Sequence, residues 1–163
     1  MKQYSKHDQR LMAAWAADCA ERVLALFEQL YPEDDRPRNA IAACRTWVRS
    51  GVFRMADIRQ ASLAAHAAAR SAKERSAACF AARAAGQAVA TAHVPQHAFG
   101  SAYYALKAIA AADPAHAQAE VAKEHAWQAH QIALHLQPEF LKRVCIQERK
   151  RGLVITVQKD ADF

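Results

Sequence analysis

Histidine and arginine side chains one helical turn apart are the residues of this sequence best suited to acid–base chemistry. His66 and Arg70 lie four positions apart in an alanine-rich segment, so they share one side of a predicted helix. His93, His97 and Tyr103 follow after a break in the pattern and could meet them in one cleft. Such a group would supply proton donors, proton acceptors and a fixed positive charge. The alternative interpretation is structural, because a histidine among alanines is commonly a core residue with a hydrogen-bonded ring.

The histidines do not form a recognisable metal motif. A proline separates His93 from His97, and His125, His130 and His135 are five positions apart, which turns them to different sides of a helix. There is no HExxH sequence, no Cys/His cluster and no carboxylate-rich loop. A glycine-rich phosphate loop and a serine-hydrolase motif are also missing. We therefore predict no metal and no other cofactor, and we assign no catalytic residue.

Four cysteines are spread along the chain at positions 19, 44, 79 and 145. None forms a CxxC pair, and most are flanked by small or apolar residues. In a cytosolic protein, cysteines of this kind are small core residues rather than disulfide partners. We predict that they are reduced.

Positive charge is concentrated in one stretch. Residues 1–35 carry four basic and seven acidic side chains, whereas residues 36–54 carry five arginines and no acid. Arginines in the second predicted helix repeat at steps that place them on one side, where they could bind carboxylates or phosphates. The alternative is a solvated surface whose arginines pair with the neighbouring aspartates. The candidate partner-binding residues are Asp34, Asp35, Arg36, Arg38, Arg45 and Arg49.

The composition favours an all-α fold. Of the 163 residues 53% are hydrophobic, with only four Gly and five Pro. Alanine is very common, and it is the best helix-forming residue because ordering it costs no side-chain entropy.

No apolar run is long enough to cross a membrane, and the first ten residues are polar, which argues against a signal peptide. The expected location is the cytoplasm.

Apolar residues recur at three- and four-residue steps and predict about seven helices joined by short loops. Ser5 resembles the first residue of a capping box and begins the first helix, which we expect to extend to about residue 30. The second helix has Asp35 as its cap and Pro37 in its first turn, and it ends at Gly51.

The third helix is expected over about residues 55–70. A second capping box at 71–74 would start the fourth helix, which reaches about Thr91. Both are crowded with alanine, and small side chains let helix axes approach closely, so we expect these two helices at the centre. Asp113 followed by Pro114 predicts the start of the sixth helix after a fifth one.

The sixth helix should reach about residue 136. A short seventh helix would then begin at Pro138, with Phe140, Leu141, Val144 and Cys145 on its apolar side. No further helix is expected after it.

The run at 153–157 is β-branched and favours an extended conformation. It has no evident strand partner in an all-α chain, so it either packs as an irregular tail or pairs with a second chain. The sequence thus predicts one compact all-α bundle over residues 1–152 and an extended C-terminal tail at 153–163.

Five segments together resemble the Imm5-like family of bacterial immunity proteins. They are residues 18–24, 31–38, 64–70, 81–88 and 91–105. The most specific parts are the sequence DDRPR in the second segment and the histidine and tyrosine pattern of the last one. The resemblance covers about residues 15–110, and the chain beyond about residue 137 resembles no family.

This resemblance implies an all-helical bacterial protein of the cytoplasm that binds a toxin protein and neutralises it without catalysis. The net charge of +6 argues against a strongly basic nuclease as the toxin. Two alternatives remain open: a basic helical nucleic-acid-binding protein, and an enzyme whose cleft contains His66, Arg70 and His93. Nucleic-acid binding would depend steeply on salt, whereas a binding protein would show a tight protein partner and no turnover. The residues do not predict the oligomeric state.

Overall fold

The computed structural model describes residues 2–150 and 152–160. Within them the chain forms seven helices of seven residues or more, one single-turn helix and two strands. In chain order these are α1 (Lys6–Val23), α2 (Ala25–Glu28), α3 (Arg36–Ser50), α4 (Met55–Ser71), α5 (Ser76–Ala90), α6 (His97–Ala112), α7 (Ala117–Gln131), α8 (Gln137–Arg143), β1 (Val144–Arg149) and β2 (Gly152–Val157). The predicted all-α class is confirmed, since the strands form only a small C-terminal sheet. Among the described helices, none combines the length and hydropathy needed to cross a lipid bilayer.

Helix α5 is the centre of the bundle and packs against α1, α2, α3, α4 and α6. Its buried residues are mostly alanine, and Ala81, Ala84 and Ala88 have no exposed surface. Because these side chains end at a methyl group, neighbouring helix axes can approach α5 closely from several sides. The other alanine-rich helix, α4, covers one side of α5 and keeps an exposed outer surface.

Aromatic side chains join the helices around this centre. The ring of Trp15 meets Phe99 and Phe140 edge-on, with centroid distances of 6.4 and 5.2 Å. Its indole N–H donates to the carbonyl oxygen of Gln128 at 2.9 Å. Full burial of one such side chain contributes roughly 1.5–3 kcal/mol. Trp15 therefore ties α1 to α6, α7 and α8.

The cysteines are free thiols in this structure. Cys19, Cys44 and Cys79 are buried as predicted, whereas Cys145 is only partly buried. Burial raises the pKa of Cys44 to about 12 and raises that of Cys19 well above its usual value. These two thiols are therefore protonated and unreactive near neutral pH.

Several predicted helix boundaries are confirmed. The hydroxyl oxygen of Ser5 accepts the backbone N–H of Asp8 at 3.0 Å and caps α1. Pro37 lies in the first turn of α3, and Gly51 ends this helix with a φ of 69°. The cap of α3 differs from the prediction, because the Asp35 side chain makes no capping hydrogen bond there.

Other boundaries are wrong. The predicted capping box at 71–74 does not start a helix: Ser71 is the last residue of α4, and its hydroxyl donates to the carbonyl of Ala67 at 3.2 Å. Helix α5 begins five residues later. The first helix does not extend to residue 30, because the backbone N–H of Leu24 bonds to the carbonyl of Glu21 and tightens the chain between α1 and α2.

The segment around Asp113 also differs from the prediction. Asp113 ends α6, and its carboxylate accepts the backbone N–H of His116 at 3.4 Å. Pro114 lies in the turn that this contact closes, so α7 begins only at Ala117. Helix α7 then ends at Gln131, before the expected residue 136.

The C-terminal segment is a β-hairpin. Val144 and Cys145 were expected in the last helix, but they begin β1, which pairs antiparallel with β2. Val144 lies opposite Val157 and Ile146 opposite Ile155. Cross-strand pairs of β-branched residues stabilise such a ladder, and they outweigh the helical spacing of Val144. The β-branched run thus has its strand partner within the same chain.

Candidate functional site

The first candidate site is the arginine side of α3. The guanidinium of Arg36 contacts both carboxylate oxygens of Asp34, at 2.8 and 2.6 Å. Arg38 makes the same forked contact with Glu28 of α2, at 2.7 and 2.6 Å. Asp35 has no ion pair among the described residues. Arg36 therefore pairs with Asp34 and Arg38 with Glu28 of α2, and only one of the two neighbouring aspartates forms an ion pair with these arginines.

Arg45 and Arg49 complete this side of α3. Arg45 reaches α1, where it contacts Asp18 at 2.9 Å and Glu21 at 2.5 Å. Arg49 donates to the hydroxyl of Thr46 at 3.3 Å. Acidic residues of the first 35 positions thus neutralise three of these four arginines, and the charge asymmetry of the sequence is largely cancelled within the fold.

The second candidate site lies between α4, the end of α5 and the start of α6. Here His66, His93 and His97 border one cavity of about 370 Å³, which we call the imidazole cavity. This volume is at the lower end of the range for small-ligand sites. Its lining consists of Met55, Ile58, Arg59, Ser62, Leu63, His66, Ala90, His93 and His97.

Arg70 and Tyr103 lie outside the imidazole cavity. Arg70 is exposed on α4, one turn beyond His66. Tyr103 borders an adjoining cavity, also of about 370 Å³, which we call the tyrosine cavity. The two cavities share His97. The lining of the tyrosine cavity consists of Gln87, Val94, Gln96, His97, Gly100, Tyr103, Tyr104, Val157 and Lys159.

His97, which lines both cavities, has a defined protonation state. Its Nδ1 lies 2.6 Å from Oε1 of Gln87. An amide oxygen only accepts, so the proton of neutral His97 is on Nδ1 and the lone pair is on Nε2. Burial lowers the pKa of His97, and the positive charges of His93 and Lys159 add to this effect. His97 is therefore a neutral hydrogen-bond acceptor near pH 7.

Two glycines inside helices make room for these side chains. A Cβ atom added at Gly86 would lie 2.9 Å from Cε1 and Nε2 of His66. One added at Gly100 would lie 2.8 Å from Oε1 of Gln87. A glycine within a helix costs about 1 kcal/mol relative to alanine. In a chain this rich in alanine, both glycines mark positions where a polar side chain presses on a helix backbone.

The imidazole cavity is electropositive. No carboxylate belongs to its lining, and Arg59 at its border has no ion pair within the described part of the chain. Burial lowers the pKa of His66, and the charges of Arg83, Arg70 and His97 lower it further. Neither ring nitrogen of His66 has a hydrogen-bond partner in the residues that the structure describes. The lining therefore offers the positive charge of Arg59 and the unpaired ring N–H of His66 to an anion.

Exposed apolar side chains lie beside the imidazole cavity. Met55 and Leu63 are part of its lining and are 44% and 54% exposed. Val52 and Phe53, in the loop before α4, are 60% and 44% exposed. Val52 borders a further cavity that shares Ile58 with the imidazole cavity. We call Val52, Phe53, Met55 and Leu63 the apolar patch, since the first two directly precede α4 and the last two line the cavity; exposed apolar groups of this kind are typical of protein-binding surfaces.

The sequence prediction omitted several residues of this site. Arg59 lines the imidazole cavity, and Ser62 donates to the carbonyl of Gly86 at 3.1 Å. Gln87 orients His97. The isolated glycines in alanine-rich helices were a usable signal, because a helical glycine indicates close approach of a side chain or backbone. Among the described residues, no group of three or more His, Cys, Asp or Glu side chains is arranged to hold a metal ion.

Residues 2–135 match the model of a family described as "Imm-5 like putative immunity protein". The chain belongs to this family. The match spans α1 to α7 and includes the whole imidazole cavity, so it is wider than the five segments that carried the resemblance. Helix α8 and the hairpin lie outside it, although Val157 and Lys159 border the tyrosine cavity. No curated protein and no solved structure matches the chain.

Proposed function

We propose that this immunity-family protein binds a toxin protein and blocks it in the bacterial cytoplasm, without catalysing a reaction. The family match over residues 2–135 is the observation that carries the proposal. An immunity protein must hold its toxin tightly, and tight protein interfaces need an apolar centre surrounded by polar groups. The apolar patch and the imidazole cavity together have that composition.

We propose this surface, rather than the arginine side of α3, as the centre of the interface. Arg36, Arg38 and Arg45 already hold carboxylates of their own chain. A partner's acid would have to replace these contacts, and the exchange of one exposed ion pair for another yields little free energy. Arg49 and the other arginines of α3 then lie at the edge of the interface, where they raise the association rate.

The apolar patch has enough unburied surface to contribute to affinity. Its four side chains are 44–60% exposed, so about half of each remains to be buried. At roughly 1.5–3 kcal/mol for complete burial of a large apolar side chain, each contributes about 1 kcal/mol on binding. Their combined effect is sufficient to distinguish a specific partner from a weak encounter.

The test has two steps. The chain is first used to capture its partner from the native cell, and the partner is identified by mass spectrometry. The partner is then produced in a host cell with and without this chain. We expect the partner to stop growth when it is alone and the chain to restore growth. A partner that is harmless alone would refute the proposal, as would captured nucleic acid that is released steeply by salt.

A pair of variants tests the surface. Leu63→Glu places a charge in the apolar patch and should abolish growth rescue and complex formation. Leu30→Glu is the matched control, because Leu30 is 52% exposed and lies outside the patch, after α2. Both variants should fold, which circular dichroism checks. Equal loss of binding in the two variants, or none in Leu63→Glu, would exclude the apolar patch.

A second candidate is an enzyme that uses His66 and His97, and the shared cavity of these histidines is the observation that favours it. The two functions differ in stoichiometry. A binding protein blocks its toxin only at one molecule or more per toxin molecule, whereas an enzyme inactivates it well below that ratio. Titration of purified toxin with the purified chain distinguishes them, and complete inactivation at a small fraction of an equivalent would establish catalysis.

A further inference from the structure

The lining of the imidazole cavity contains two kinds of side chain. The polar ones are Arg59, Ser62 and the imidazoles of His66, His93 and His97. The apolar ones are Met55, Ile58, Leu63 and Ala90. A ligand that contacts both kinds needs an anionic head and an apolar body.

We propose that the imidazole cavity binds a carboxylate group attached to a short apolar chain. The planar guanidinium fork of Arg59 matches the two oxygens of a carboxylate. The nearest acid along α4 is Asp57, which borders two other cavities and is not part of this lining. No carboxylate of the described chain therefore occupies the place that the ligand takes.

Arg59 differs in this respect from the arginines of α3. Arg36, Arg38 and Arg45 each contact a carboxylate at 2.9 Å or less. Arg59 has no ion pair within the described residues, although it borders a cavity. Its charge is thus available to a ligand without loss of an internal contact.

The size of the cavity selects the ligand further. A volume of about 370 Å³ accommodates a small molecule or a single side chain. Inorganic phosphate would contact Arg59 but leave the apolar side chains of the lining in contact with water. A short alkyl carboxylate fills both parts and removes apolar surface from water, which adds to its affinity.

Ligand binding is coupled to protonation of His66. The titratable groups that face His66 are Arg70 from α4, Arg83 from α5 and His97 from α6; all are basic, and the two guanidinium groups are charged near pH 7. They favour the neutral imidazole in the empty cavity. A bound carboxylate offsets their charge and raises the pKa of His66, so binding takes up a proton. Affinity therefore increases as the pH falls through the pKa that His66 has in the complex.

The experiment uses the purified full chain and the probe butyrate. Histidine ring resonances are followed by NMR during titration with butyrate, with n-butylamine and inorganic phosphate as comparison probes. We expect saturable shifts of His66 with butyrate, a raised pKa of His66 at saturation, and tighter binding at lower pH. No saturation with butyrate would refute the proposal, as would equal binding of n-butylamine or tighter binding of phosphate.

Two variants locate the site. Arg59→Gln should weaken butyrate binding by about tenfold, because a hydrogen bond between charged groups is lost. Arg75→Gln is the matched control, since Arg75 is another exposed arginine without an ion pair in the described chain and lies at the opposite end of α5 from Ala90. It should bind butyrate with unchanged affinity. Equal affinities of the two variants would show that Arg59 does not hold the carboxylate.

A last arm identifies the source of the carboxylate. The complex with the captured partner protein is titrated with butyrate while the ring resonances of His66 are followed. Loss of the butyrate-induced shifts in the complex shows that an acidic side chain of the partner fills the cavity, whereas unchanged shifts show that the cavity stays open to a free acid. The titration of the isolated chain does not depend on toxin binding, so it can succeed even if the proposed function fails.

Discussion

Replacing Gly86 by alanine tests whether the ring of His66 is the reason for a glycine in the middle of α5. The backbone gives no other reason, because Gly86 does not have a positive φ. Alanine is therefore allowed at this position as far as the chain conformation is concerned. What opposes it is the imidazole, which would lie 2.9 Å from the new Cβ.

Two opposing effects of similar size determine how Gly86→Ala changes the free energy of unfolding. Alanine in place of a helical glycine stabilises the helix by about 1 kcal/mol. The ring must retreat by about 0.8 Å to reach an ordinary carbon contact of roughly 3.5–4 Å, and turning it out of its preferred rotamer costs about 1 kcal/mol. We expect Gly86→Ala to leave the free energy of unfolding nearly unchanged.

A double-mutant cycle separates the two terms. His66→Ala and the double variant are prepared together with Gly86→Ala, and unfolding in urea is measured for all four proteins. Without the imidazole the clash disappears, so Gly86→Ala should then stabilise by about 1 kcal/mol, or roughly 2–4 °C in melting temperature. In the single variant Gly86→Ala, the ring moves toward solvent and the pKa of His66 rises toward its usual value.

Equal stabilisation by Gly86→Ala with and without the His66 ring would refute this reasoning. Such a result would mean that the two positions do not interact, and the imidazole would then not be held against α5. An unchanged pKa of His66 in Gly86→Ala would lead to the same conclusion.

Three further predictions concern stability. Arg22→Ala leaves the buried carboxylate of Glu124, which lies 2.8 Å from the Arg22 guanidinium, without its partner. Urea unfolding should show a loss of about 2 kcal/mol, which is less than for a fully buried pair because Arg22 is partly exposed. The control variant Arg49→Ala should change the free energy of unfolding little. The lowered pKa values of His66 and His97 mean that the unfolded chain binds more protons below about pH 7, so stability should fall on acidification, and less steeply in His66→Gln/His97→Gln. Asp160→Ala removes a carboxylate 2.6 Å from the buried Arg143 and should make the hairpin more sensitive to limited proteolysis.

Periodicity and caps predicted most helices because those signals are local. Ser5 and Gly51 act within one turn, and the structure confirms both. The box at 71–74 failed because Ser71 has an alternative local contact, the carbonyl of Ala67, that lets α4 continue to it. The hairpin was missed for the opposite reason. Val144 has helical spacing, but its conformation is determined by strand pairing with Val157, thirteen positions away.

The candidate site was only partly accessible from the sequence. Four-residue spacing placed His66 on one side of a helix, but it could not show that Arg59 and His93 share its cavity. The composition of the sequence showed the arginine cluster of α3. The neutralisation of its charge depends on contacts such as that between Arg45 and Asp18, which are 27 positions apart in the chain. Distances of this kind follow from packing of α1 against α3, which spacing within one helix does not specify.

The central position of α5 has a consequence for synthesis on the ribosome. Helices α1, α3 and α4 leave the ribosome before the helix that all three pack against. Until Ser76–Ala90 has emerged, their small apolar side chains have no common partner, and the nascent chain cannot close its core. Folding therefore waits for the middle of the chain. Ribosomes that stall before Ser76 would release fragments with exposed apolar surface, which are substrates for chaperones and proteases rather than partly active protein.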